Sequence, residues 1–284
     1  MPAEGRRGNL SGLVVLVASL VGVGAVFGPF LLPLIQRGDA DSAAHAGDAP
    51  LIFAVLTFLS LVAMLVVVSD EANGVGRAKT VALLGVLVAI DASLRLLPSV
   101  LGASPIFLLI ILVGATFGAT MGFQMGTMTL LLSALLTGGI GPWLPFQMII
   151  SGWIGLSAGW IPRSASPRQR IAVLALFGAA WGLIFGVLMN LWFWPFAAPG
   201  VEVDAGLYWT PGLPFAETVS RYARFYVITS LPFDAFRAAG NVVLMLALGP
   251  AVLRVLERYR QRFRWEPWQE LAPDDLRGDP VTTP

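Results

Sequence analysis

The stretch Gly138-Gly139-Ile140-Gly141-Pro142-Trp143-Leu144-Pro145-Phe146-Gln147-Met148 separates two apolar runs of the chain. Its glycines and Pro142 predict a turn, and Pro145 fits the first turn of a new helix, where its missing N–H has no partner to lose. Trp143 and Gln147 then lie beside a helix N-terminus, where free backbone N–H groups can recognise a polar ligand. Both a ligand-recognition point and an ordinary interfacial turn with a tryptophan anchor fit this pattern.

The composition indicates a membrane protein. Of the 284 residues, 12% are charged and 56% are hydrophobic, whereas soluble domains carry about 25% charged residues. The chain has no cysteine, which excludes disulfides, thiolate metal sites and cysteine nucleophiles. Its single histidine, His45, lies in a polar loop. We therefore expect a polytopic membrane protein.

Long apolar runs predict eight membrane spans and an all-α bundle. The first run follows two arginines, but it is too long for a signal-peptide core and has no clear cleavage site, so we expect a retained helix. The predicted spans are residues 12–35, 51–69, 79–97, 105–118, 121–137, 144–161, 171–193 and 233–256.

The basic residues predict the orientation in the cell membrane. They cluster on one side of the eight-span map, which by the positive-inside rule places both termini in the cytoplasm. The clustered residues are Arg6, Arg7, Arg77, Lys79, Arg163, Arg168, Arg170, Arg254, Arg258, Arg260, Arg262 and Arg264.

The outward segment 194–222 is rich in aromatics and prolines and is expected to form a structured cap. The polar residues 265–284 are expected to form a disordered cytoplasmic tail.

Polar residues inside predicted spans are costly and usually have a function or a partner. Several lie at one depth although they come from four spans, which predicts a cavity open to the outside; interhelical hydrogen bonds are the alternative. Asp91 and Arg95 are four residues apart, so Arg95 is free either to pair with Asp91 or to contact an anionic ligand group. The residues concerned are Asp91, Arg95, Gln147, Asn190, Asp234, Arg237 and Asn241.

Small residues recur at four-residue spacing in two places, which allows close helix approach. The third predicted span carries Ala78, Ala82, Gly85 and Ala89. The junction of the fourth and fifth spans carries Gly118, Gly122 and Gly126.

Catalytic and nucleic-acid motifs are weak or missing. Gly155-Leu156-Ser157-Ala158-Gly159 matches a nucleophile elbow but lies inside an apolar span, and the one histidine is far away. The sequence has no phosphate-binding loop ending in Lys-Ser/Thr. The arginines at 254–264 fit a helix beside anionic lipid better than a nucleic-acid site. We expect no catalytic residue, no metal site and no nucleic-acid partner.

Residues 80–258 resemble the substrate-binding S components of energy-coupling factor (ECF) vitamin transporters. The resemblance rests on ordered motifs: Phe107 to Gly118, Gly122-Phe123, Gly139-x-Gly141-Pro142-Trp143-x-Pro145-x-Gln147-Met148, Gly152-Trp153-x-Gly155-x-x-Ala158-Gly159, Met189-Asn190-x-Trp192-Phe193, Leu231-Pro232-Phe233-Asp234 and Gly240-Asn241. It implies a six-helix S-component-like core over residues 76–264. Residues 1–75, an N-terminal pair of transmembrane helices, have no place in that core.

The resemblance implies a subunit that binds a vitamin or related micronutrient and works with a membrane coupling subunit and two cytoplasmic ATPases. The partners use the ATP, and this chain is expected to bind no cofactor. The motifs look most like the cobalamin or corrinoid branch. The ligand is expected to contact Arg95, Trp143, Gln147, Asn190, Trp192, Asp234 and Asn241, and the coupling subunit to pack on Ala78, Ala82, Gly85 and Ala89. The alternatives are a membrane-embedded lipid-modifying enzyme that uses Asp91 and Asp234, and a structural subunit without a ligand.

Overall fold

The computed structural model describes residues 4–35, 51, 55, 74–97, 99, 104–162, 166–196, 206–210 and 213–262. These residues form nine α-helices and a short 3-10 helix, Trp194–Phe196, with no strand among them. The predicted all-α bundle is confirmed. The helices are α1 (Glu4–Ile35), α2 (Gly74–Leu94), α3 (Ile106–Phe117), α4 (Ala119–Thr137), α5 (Leu144–Ala158), α6 (Pro167–Leu191), α7 (Phe215–Thr229), α8 (Leu231–Ala247) and α9 (Gly249–Arg262).

By length and composition, α4 and α6 are each able to cross a membrane, and α8 with α9 form a third candidate. The last pair is bent by 62°, so the predicted span 233–256 is not one straight helix. Pro250 explains the break, because its ring collides with the preceding helical turn and it has no N–H to donate. The predicted second span, 51–69, lies outside the described residues apart from 51 and 55. The count of eight spans stays a prediction.

The turn around residue 140 forms as the sequence predicts. Helix α4 ends at Gly138, whose φ of 68° is left-handed and whose N–H donates to the carbonyl of Ala134. Glycine adopts this conformation without the steric cost that a Cβ brings. Helix α5 then begins at Leu144, with Pro145 in its first turn.

Short α3 occupies the centre of the bundle. Every residue from Ile106 to Thr116 is buried, so this helix is surrounded on all sides. A helix that is apolar all round fits such a position. Its 12 residues are fewer than the roughly 20 that a straight membrane span needs.

Glycines set the closest helix contacts. A Cβ built on Gly122 or Gly155 would collide with the backbone of the other residue, so α4 and α5 touch backbone to backbone. Gly114 of α3 faces Gly155 in the same way. The small-residue pattern at Gly122 and Gly126 is therefore used inside the chain.

Helix α1 packs on the rest of the bundle. Gly22 lies against Ile149 and Trp153 of α5, and the buried face of α1 includes Val26 and Phe30. The first predicted helix is thus part of the same packed body as α5 and α6. Its predicted partner in the N-terminal pair lies outside the described residues.

Candidate functional site

Arg95 and Gln147 meet where α2 ends and α5 begins. Nη2 of Arg95 donates to Oε1 of Gln147 at 3.1 Å, although 52 residues separate them in the chain. The second terminal nitrogen of Arg95, Nη1, is buried and has no hydrogen-bond partner. Two of the predicted ligand residues are therefore in direct contact.

Asp91 does not pair with Arg95. The Thr129 hydroxyl on α4 donates to Oδ2 of Asp91 at 3.0 Å, and Oδ1 is buried without a partner. Asp91 is fully buried one helical turn before Arg95. Of the two possibilities that the sequence left open for Arg95, the pairing with Asp91 is not formed.

An aromatic stack continues the site toward α6. The rings of Phe146 and Trp192 are parallel within 8°, with centroids 4.7 Å apart. Trp143 precedes α5 and is 44% exposed. Its indole lies over Gly141, where any side chain would collide with it. Phe146 is buried, so the open aromatic surface is that of Trp143, whose carbonyl accepts from the Gln147 N–H at 3.0 Å.

Asn190 connects the end of α6 to the start of α8. Its Nδ2 donates to the Ser230 hydroxyl at 2.6 Å. The ends of α2 and α6 and the starts of α5 and α8 therefore lie together through the contacts of Arg95, Phe146 and Asn190. We call this end of the bundle the polar end.

Asp234 and Arg237 form an ion pair on α8. Arg237 also donates to the carbonyl of Gly182 at 3.3 Å and lies 5.1 Å from the centroid of the Phe185 ring, a cation–π distance. Gly186 accommodates the Asp234 carboxylate, since a Cβ there would overlap it. Asp234 therefore both adjoins the polar end and braces α8 against α6.

Asn241 lies farther along α8. Its Nδ2 donates to the carbonyl of Gly178 at 2.8 Å, and its Oδ1 is buried without a partner. Eleven residues separate it from Ser230, which corresponds to about 16 Å along the helix. The structure does not bring Asn241 together with Arg95 or Gln147, and its part in ligand binding stays a prediction.

Segment 194–222, which the sequence predicts to be a cap, is folded where the structure describes it. Nε1 of the buried Trp194 donates to the carbonyl of Leu207 at 3.0 Å, and Arg221 donates to the carbonyl of Tyr208 at 3.1 Å. Helix α7 follows and docks on α6, with the Tyr222 hydroxyl donating to the carbonyl of Val187. The sequence predicted a cap but not this amphipathic helix.

Helix α1 also contacts this cap. Phe30 packs on Trp194 and Tyr222, with ring centroids 5.8 and 5.4 Å apart. A helix outside the predicted core therefore helps to hold the predicted cap segment.

The small-residue face of α2 is open. Ala82, Gly85 and Ala89 are all exposed, and a Cβ on Gly85 would meet nothing within 4 Å. The side chain of Ala78 lies outside the described set. Unlike the glycines of α4, this face is not covered by any part of the chain that the structure describes, so a partner helix could approach it closely.

The two carboxylates of the enzyme alternative have different surroundings. Asp91 lies between α2 and α4 on Thr129, whereas Asp234 pairs with Arg237 against α6. Among the described residues, no three His, Cys, Asp or Glu side chains are grouped in a way that could hold a metal ion.

Sequence reasoning missed several partners of the site. Phe146 and Ser230 contact the predicted ligand residues Trp192 and Asn190. Thr129 contacts Asp91, and Phe30 and Tyr222 hold the cap. Ser230 alone had a local signal, because it precedes the Leu231-Pro232 start of a helix. The others depend on how separate helices pack.

Comparison with known proteins identifies the kind of molecule. Residues 79–249 match the family model described as "ECF transporter, substrate-specific component". No curated protein and no solved structure matches the chain. The matched region contains the polar end and the open face of α2, and it excludes α1 and most of α9.

Proposed function

We propose that this chain, which belongs to the family of ECF transporter substrate-specific components, binds a vitamin or related micronutrient for import. Proteins of this family are subunits of multi-pass membrane transporters, and they are not an enzyme family. The observation that carries the proposal is the match of residues 79–249, which is more than half of the chain.

The polar end is the proposed ligand site. It combines a cation, an amide and exposed aromatic surface, which are the groups that orient a polar, ring-bearing ligand in a largely apolar site. Arg95, Gln147 and Trp143 would contact the ligand directly, and Trp192, which stacks on Phe146, would extend the site toward α6. Asn190 and Asp234 would border the site, and Asn241 would contact only a ligand that reaches farther along α8 into the bundle.

The cap would close over the ligand. The Trp194–Phe196 turn, residues 206–210 and α7 are tied to α6 and to Phe30 of α1. We propose that ligand enters from outside, with both termini of the chain in the cytoplasm. The resemblance to the cobalamin branch makes a corrinoid our first candidate ligand.

The open face of α2 is the proposed docking surface for the membrane coupling subunit. Ala82, Gly85 and Ala89 are exposed and small, which lets a partner helix come close. Two cytoplasmic ATPases would drive the coupling subunit, whose movement tips this chain and releases the ligand inward.

Thermal stabilisation of the purified protein by vitamins tests the proposal. A ligand that binds only the folded state stabilises it by about 2.7 kcal/mol at one hundred times its Kd. We expect one vitamin of a panel that includes cobalamin and cobinamide to raise the melting temperature. A structural subunit predicts no shift with any vitamin, and a lipid-modifying enzyme predicts stabilisation by lipid substrates alone.

A further inference from the structure

Arg95 retains a positive charge that no carboxylate neutralises in the part of the chain that the structure describes. Nη2 donates to the amide oxygen of Gln147 at 3.1 Å, and buried Nη1 has no acceptor. The amide accepts a hydrogen bond but carries no charge, and a guanidinium stays protonated at physiological pH. Gln147 therefore orients Arg95 without neutralising it.

Three other arginines of the chain each form an ion pair with a carboxylate. Arg170 pairs with Glu257, Arg221 with Glu217 and Arg237 with Asp234. Asp91, the carboxylate one turn from Arg95, accepts from Thr129 instead. Arg260, which is also partly buried, donates to the carbonyl of Thr116 at 3.2 Å. Among the described arginines, Arg95 therefore stands apart because it has a buried nitrogen without an acceptor.

The nearby helix ends do not cancel this charge. Arg95 follows the C-terminus of α2, whose dipole is equivalent to about half a negative charge. Gln147 lies in the first turn of α5, whose N-terminus has about half a positive charge and offsets that contribution. The two helix-end contributions therefore offset each other and leave the charge of the guanidinium in place.

We propose that the ligand of this subunit carries an anionic group, a carboxylate or a phosphate, that accepts a hydrogen bond from Nη1 of Arg95. This inference rests on the proposed function and adds the charge of the ligand to it. Gln147 holds the guanidinium through Nη2, and the Trp143 indole offers the adjoining surface to the ring system of the same molecule.

Matched pairs of vitamins that differ in one anionic group test the inference. The probes are biotin and biotinamide, pantothenate and pantothenol, nicotinate and nicotinamide, riboflavin phosphate and riboflavin, and cobinamide phosphate and cobinamide. Affinities are measured by calorimetry on the purified full chain. We expect the pair that binds to favour the anionic member by at least about tenfold, the usual effect of a charge-assisted hydrogen bond.

Three variants locate the effect. Arg95→Gln should weaken binding of the anionic member at least about tenfold and of the neutral member less than about threefold. Gln147→Glu should reduce the same preference, because its carboxylate then competes for the guanidinium. Arg254→Gln removes an exposed arginine of α9 and serves as the matched control, with unchanged affinities.

The outcomes separate the two proposals. Equal affinities within the binding pair, or a preference that survives Arg95→Gln, would overturn the inference while the proposed function stands. Absence of binding by every vitamin would overturn the proposed function itself. Phosphatidylglycerol and inorganic phosphate are titrated as well. Stabilisation of the wild type by the lipid alone, lost in Arg95→Gln, would assign the positive charge to a lipid headgroup and overturn the inference.

Discussion

At the scale of single residues, the predicted ligand residues fall into two groups. One group already has hydrogen-bond or ion-pair partners within the chain, and the other does not. Asn190, Asp234 and Asn241 each have a partner on α6 or α8. Trp143 is largely open, and Arg95 has an unused donor. The strongest candidates for ligand contact are therefore at the junction of α2 and α5.

Replacement of Trp143 by alanine should weaken ligand binding with little effect on the empty protein. Loss of a stacking aromatic costs about 0.5–1.5 kcal/mol beyond area burial, so we expect a several-fold rise in Kd by calorimetry. Trp160→Ala is the matched control, because Trp160 is 68% exposed just beyond the other end of α5. A similar loss of affinity in both variants would contradict a site at Trp143.

Local spacing predicted which residues matter but not their partners. The four-residue interval between Asp91 and Arg95 allowed an ion pair within the helix. Thr129, 38 residues away on α4, takes the carboxylate instead, and Gln147 takes the guanidinium. Such contacts depend on the register between helices, which the pattern of one helix does not contain.

At the scale of helices, the same small-residue spacing has two different uses. Gly122 and Gly126 of α4 are covered by α5, whereas Ala82, Gly85 and Ala89 of α2 are exposed. The sequence predicted close approach at both places. The sequence did not show that the glycines of α4 pack on α5 of the same chain. That contact depends on how the α4–α5 hairpin folds.

Gly155→Ala should destabilise the protein, because its new Cβ collides with the backbone of Gly122 and not with a movable side chain. Overpacking of this kind costs about 1–3 kcal/mol, measured as a fall in melting temperature or in detergent-resistant half-life. Gly85→Ala is the control and should be neutral or stabilising by up to about 1 kcal/mol. Equal effects of the two variants would argue against tight α4–α5 packing.

Ala82→Leu and Gly85→Leu should prevent assembly with the coupling subunit and abolish uptake, while vitamin affinity stays within about twofold. Ala82 and Gly85 are exposed among the described residues, and a Cβ on Gly85 meets none of them within 4 Å, so the added bulk should block approach of a partner helix. Co-purification from native membranes and calorimetry give the two readouts. Normal recovery of the partners with both variants would show that docking occurs elsewhere.

At the scale of the whole molecule, composition and apolar runs were enough to predict an all-helical bundle. They missed α7, because an amphipathic helix on the bundle has no long apolar run, and they missed the bend between α8 and α9. They also left α1 apart from the core, although it packs on α5 and contributes Phe30 to the cap. Contacts between distant segments decide all three features.

The orientation of the bundle follows from its arginines and is open to a direct test. The natural absence of cysteine makes single-cysteine labelling clean. Ala165→Cys should react with an impermeant maleimide only after the cells are permeabilised, because Arg163, Arg168 and Arg170 predict a cytoplasmic loop. A cysteine in place of Gly206 in the cap serves as the outward control. Labelling of the Ala165→Cys variant in intact cells would reverse the orientation.

Uptake of the vitamin by cells that lack this chain tests the central claim most directly. The labelled vitamin is the one that stabilises the purified protein, and the cells are those that naturally contain the chain. We expect saturable, ATP-dependent accumulation to disappear on deletion, to return with the wild-type chain and to stay absent with Gly85→Leu. Unchanged accumulation in the deletion strain, at vitamin concentrations near the measured Kd, would contradict a role in import.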